Sequence, residues 1–146
     1  MMKERKKSWD EKVSKAEGSY LRARNNIAFA KKFYQNLFLL NPEIEAYFKD
    51  TDFKYQEKAL INGVNILFSY LHKDEFAKSQ ISRLSKVHNI GGLKIHPHLY
   101  YYWIEALIIT IQELDNSWYD DLAYYLREVI NYPVSFFTSQ YFLPHE

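Results

Sequence analysis

The sequence predicts an all-α domain of about six to eight helices. Three observations carry that prediction. Apolar residues recur at the helical period along almost the whole chain, and no segment alternates apolar and polar as a half-buried strand does. Only four glycines and four prolines punctuate the 146 residues, which favours long regular elements over strands and turns. The length suits one domain able to bury roughly two-thirds of its unfolded surface.

The elements follow in order. Residues 1–10 read as a charged extension and 11–146 as a single domain. Ser8 is a candidate N-cap, with Asp10 and Glu11 in the first turn where the helix dipole favours negative charge. Over about 20–40, Ile27, Ala30, Phe33, Tyr34, Leu37 and Phe38 make one broad apolar face. Asn41-Pro42 stops that helix, because proline disfavours helical geometry in the residue before it. The segment NPEIEAYFKDTD reads as a tight corner with a short helix. Thr51 or Asp52 then caps a helix to about 71, with Leu60, Val64, Leu67 and Leu71 inward. Gly63 inside this helix implies a close approach of something to the backbone.

A further helix, about 74–88, aligns Ile81, Leu84 and His88 on one face, and Gly91-Gly92 ends it. Pro97 suits the first turn of the next helix, which turns Tyr100, Trp103, Leu107, Ile111 and Leu114 inward. The last segment, about 117–142, packs Trp118, Leu122, Leu126, Val129 and Phe136. Pro133 is expected to kink or split it. The aromatic run YYYW at 100–103 spreads around its helix, so part of it lies away from any one buried face.

Composition narrows the function classes. A net charge of +1 argues against nucleic acid and anionic membranes as partners. The absence of cysteine rules out disulfides, thiolate metal sites and cysteine nucleophiles. No leader pattern opens the chain and no apolar run matches a membrane span, so a cytoplasmic location is expected.

Of five histidines, His88 alone falls on an apolar helix face. Such a residue is either a hydrogen-bonded core histidine or a ligand. The Leu84 carbonyl, one turn back, can accept the Nδ1 proton and leave Nε2 free for a metal. A zinc site needs several convergent ligands, whereas His96 and His98 flank a proline and lack a clear third partner. Iron held inside haem fits better, since the porphyrin brings four ligands and the protein need add only one imidazole and an apolar slot. A cofactor-free helical interaction module also accounts for the periodicity.

Several motifs, in order, resemble those of bacterial single-domain globins and of the haem domain of flavohaemoglobins. FYQNLFLLNPEIEAYF matches that group's pattern at Phe33, Tyr34, Phe38, Pro42 and Phe48. QEKAL matches its distal helix at Gln56 and Leu60, LSKVH its proximal histidine at His88, and Pro97 with Tyr100 its Pro-x-x-Tyr. The resemblance spans about 11–141. It implies a globin fold around a haem pocket holding haem b (iron protoporphyrin IX), with His88 on the iron and Phe48, Leu60, Leu84 and Tyr100 around the cofactor. Tyr34, Gln56 and Leu60 would face the ligand, and no histidine at 52–64 stands ready to fill the sixth position.

The implied function is reversible binding of a diatomic gas, dioxygen first, with nitric oxide or carbon monoxide as others. A nitric oxide dioxygenase served by a separate reductase, and a gas sensor acting through a partner protein, are the alternatives; the candidate partners are a reductase and a second copy of the chain in a homodimer. Two departures stand out: Gln140 occupies the place of a glutamate that supports the proximal histidine in flavohaemoglobins, and Pro133 lies in the last helix.

Overall fold

A computed structural model of the chain describes residues 8–88 and 98–141, the side chains of 84–88 and 136–141 excepted. Seven α-helices and one 3-10 turn make up the described residues, with no strand among them. Helix α1, Trp9–Arg24, opens as its polar start demands. The Ser8 hydroxyl accepts from the Glu11 amide at 3.2 Å, and the Glu11 carboxylate accepts from the Ser8 amide at 3.0 Å. This reciprocal capping box satisfies two amides that a helix start leaves without partners.

The single apolar face read over 20–40 is divided. Helix α2, Phe29–Leu40, begins only after a turn at 25–28. Asn26 makes that turn: its amide donates to the Ala23 carbonyl at 3.0 Å, and its side chain accepts from the Ala28 amide at 2.8 Å. Ile27 is consequently fully exposed rather than on the apolar face.

Asn41 is extended (φ −151°), as the following proline requires, and its side chain accepts from the Glu43 amide to start α3, Pro42–Glu45. A 3-10 turn, Ala46–Phe48, completes the corner. Asp52, not Thr51, caps α4, Phe53–Leu71, whose Leu60, Val64, Leu67 and Leu71 are all buried. After a left-handed Lys73 (φ 64°), Asp74 accepts from the Phe76 amide at 2.9 Å and α5, Glu75–His88, begins. Gly91, Gly92, His96 and Pro97 lie outside the described residues.

Helix α6, Leu99–Leu114, packs against α1, α2 and the last helix, α7, Asp121–Tyr141, while α4 packs against α2, α5 and α7. Leu107 and Ile111 of α6 meet Leu126, Val129 and Ile130 of α7 in one fully buried core. Pro133 does not split α7, which runs unbroken through it. Proline removes its own amide from the ladder and crowds the preceding turn, yet burial of Val129, Ile130 and Val134 on either side holds the helix together.

The turn from α6 to α7 is built around Asp115, whose side chain is fully buried. It accepts from Ser19 at 2.6 Å, from two nitrogens of Arg22 at 2.6 and 3.0 Å, and from the Ser117 amide at 2.9 Å. Burial pushes this carboxyl up, but the hydrogen bonds from Arg22, Ser19 and Ser117, with the charge of Arg22, outweigh it and hold it below its ordinary value. The folded state therefore gives up this carboxylate later than the unfolded chain as pH falls. Its contribution is complete above the unfolded value of 3.8 and is lost below it, through the lower folded value. Asp115→Asn should cost about 1.5–3 kcal/mol at neutral pH. It should also flatten the decline in stability below pH ~4, read from urea midpoints across an acid series.

Candidate functional site

One cavity gathers the residues that the sequence singled out. Its walls enclose about 1100 Å³ of space free of protein atoms, open mouth included. Helix α4 contributes Gln56, Ala59, Leu60, Gly63 and Leu67; α2 contributes Tyr34 and Leu37; the corner contributes Ile44, Tyr47 and Phe48. The opposite side consists of Leu99, Tyr100 and Trp103 from α6 and Val134 from α7. No charged side chain lines it among the described residues. A ligand that fills it must therefore be predominantly apolar and orient itself through a few neutral polar groups.

Those groups converge at the Tyr34 end. The Gln56 side-chain Nε2 donates to the Tyr34 hydroxyl at 3.0 Å. The hydroxyl proton is directed at the main-chain carbonyl of Gln56 at 3.5 Å, too distant to hold it firmly. Tyr34 therefore has a lone pair engaged and a proton to offer.

Its ring is fixed by neighbours. Phe33 lies edge-on at 4.9 Å between centroids, and Phe48 and Phe53 each lie edge-on at 5.6 Å. Burial pushes the Tyr34 phenol up to about 12 against the opposing hydrogen bond from Gln56, so it is a neutral donor throughout the physiological range. Burial likewise pushes Tyr100 up to about 12.

Five of the seven expected site residues, Tyr34, Phe48, Gln56, Leu60 and Tyr100, meet on this one cavity. The side chains of Leu84 and His88 lie outside the described residues; both positions belong to α5. Ile81 of α5 is buried on Leu67, with Tyr100 and Trp103 packed against both. The face of α5 that carries Ile81 thus reaches the cavity wall from behind.

His98 is exposed just before α6. Among the described residues, no cluster of three or more histidine or acidic side chains is placed to hold a metal. Lys54 and Lys58 point away from the cavity into solvent. Of the aromatic run at 100–103, Tyr100 and Trp103 face the cavity and Tyr101 lies in solvent.

Sequence reasoning missed the cavity role of Tyr47, Ala59, Leu99 and Val134, and took Trp103 only as core. Ala59 and Gly63 were legible as a pair one turn apart on the same face as Gln56 and Leu60. Tyr47 and Val134 left no comparable signal.

An all-α chain with this helix order and an internal cavity between α4 and α6 is a globin. The globin family model matches residues 31–132, and the chain belongs to that family. Among solved structures it is similar to protein PA3967 from Pseudomonas aeruginosa PAO1, described as structurally highly homologous to a human haemoglobin. The two share 26% identity and a TM-score of 0.84, over 89% of this chain and 98% of the other. No curated protein matches the chain.

The family implies a haem-binding chain, and the cavity fits such a group on its own evidence. Among the described residues its lining is neutral and mostly apolar, it places a donor pair at one end, and a Cβ added at Gly63 would meet no atom beyond its own helix backbone within 4 Å. Among the described residues no helix is long and apolar enough to cross a membrane.

Proposed function

We propose that the chain holds haem b in this cavity through His88 and reversibly binds a diatomic gas, dioxygen foremost, on the side facing Tyr34. The haem supplies the iron on which the gas binds; the chain supplies the slot, the tether and the polarity. His88 stands seven positions after Ile81, so helical periodicity puts it on the face of α5 that reaches the cavity wall. It is the tether, with Leu84 one turn back beside it.

Phe48, from the corner that Pro42 sets up, would help hold the haem, while Leu60 would narrow the space left for the gas and keep water out. Tyr100 and Trp103 close the opposite wall. Tyr34 directs its proton at the gas, and Gln56 keeps that proton free by occupying the oxygen's lone pair. The observation that carries this reading is the 3.0 Å contact between Gln56 and Tyr34 at the end of a neutral, apolar cavity.

Absorption spectra of the purified chain in ferric, ferrous and carbon monoxide forms test it. An intense Soret band that shifts on reduction and again with carbon monoxide is expected. A folded, colourless preparation that takes up no added hemin overturns it.

A further inference from the structure

Glycine is, after proline, the residue least favoured inside a helix, yet Gly63 stands in the interior of α4. Two ordinary reasons for it are missing. Its backbone is not in the left-handed region, so no conformation demands glycine. Among the described residues no neighbouring helix presses on it either, since an added Cβ would find no atom beyond its own helix backbone within 4 Å. At Gly18, by contrast, a Cβ would lie 3.4 Å from the Arg22 guanidinium. The space that Gly63 leaves open is cavity, for Gly63 is part of its wall.

We propose that Gly63 is a seat for the macrocycle, where one apolar edge of the porphyrin rests directly on the backbone of α4. The inference rests on the haem reading above and adds a positioning residue to it. From Gln56 to Leu67 the α4 wall is about 16 Å long at 1.5 Å per residue. Along it Gln56, Leu60 and Leu67 carry full side chains, while Ala59 and Gly63, one turn apart, form a trough. A flat ring lying in that trough is held at one depth, with its reach toward Tyr34 set by where its edge stops.

The edge seated there is one bearing methyl or vinyl groups. Ala59, Leu60 and Leu67 offer it no hydrogen bond, and an unpaired propionate carboxylate in such surroundings would be strongly disfavoured.

The test is a size series, Gly63→Ala, Gly63→Val and Gly63→Leu, with the parent chain beside it. The thermal unfolding of each apoprotein is recorded. Each holoprotein is then made with hemin and with deuterohemin, which has hydrogens in place of the two vinyl groups. The readout is the rate of cofactor loss to an excess of a haem scavenger.

Alanine raises helix propensity, so Gly63→Ala apoprotein should melt no lower than the parent. Hemin loss should quicken with side-chain size, reaching tenfold or more at leucine, and deuterohemin loss should quicken less. Hemin loss unchanged across the series overturns the seat. So does loss that merely tracks apoprotein melting, or loss equal for the two cofactors. A parent chain that takes up neither cofactor overturns the haem reading itself, a result distinct from any of these.

Discussion

Replacement of His88 by alanine should release the haem. A single imidazole is the one covalent hold proposed between chain and cofactor; every other contact, from Phe48 and Leu60 to Tyr100, is packing. Changes even to the outer partners of a metal ligand cost ten- to a hundredfold in metal affinity. Loss of the ligand itself should therefore speed hemin loss at least about a hundredfold and collapse the Soret band of any cofactor retained. Alanine is the residue best suited to a helix, so the change should not weaken α5 and the apoprotein should melt as the parent does. Imidazole at millimolar concentration should restore a six- or five-coordinate spectrum to His88→Gly with hemin. Unchanged spectrum and unchanged hemin loss in His88→Ala would remove position 88 from the iron.

Different physical signals explain what was legible in the sequence. The inner face of α4 was legible because four leucine and valine side chains keep helical spacing behind a short polar cap, all of it local information. The corner at Asn41-Pro42 was legible for the same reason, since proline acts on its immediate neighbour. The break between α1 and α2 was not. No glycine or proline marks it, and an apolar Ile27 falls in phase with the face it does not join.

What makes that break is polar and partly long-range. Asn26 closes the turn, while Arg24 reaches across to Asn65 at 2.9 Å, where Tyr20 also donates at 2.8 Å. At Pro133 the expected split does not occur, because a local breaking tendency yields to burial on both sides of it. The Asp115 latch joins residues far apart in the chain and has no local signature.

Tyr34, Gln56 and Leu60 were singled out only through the resemblance to globin motifs, and the structure places all three on one cavity. Gly63 was readable as a point of close approach to the backbone, with nothing to name what approaches, and the structure puts it in the cavity wall.

Tyr34→Phe should speed dioxygen release by about ten- to over a hundredfold while changing the association rate far less. Dioxygen takes on partial negative charge when bound, and a hydrogen bond to a charged partner is worth about 1.5–3 kcal/mol, which sets that range. The isosteric ring keeps its edge contacts with Phe33, Phe48 and Phe53, so the pocket's shape is preserved and only the donor disappears. Carbon monoxide, which gathers little charge, should show a much smaller change, and that contrast separates a lost hydrogen bond from a lost wall. The phenol loses its proton only near about 12, so the parent's slow release should persist unchanged from neutral to strongly alkaline pH, up to the point of unfolding. Stopped-flow displacement of dioxygen by carbon monoxide measures both the mutant effect and its pH profile. Equal off-rates for parent and Tyr34→Phe would mean that the Tyr34 hydroxyl, whatever Gln56 does to it, is not directed at the gas.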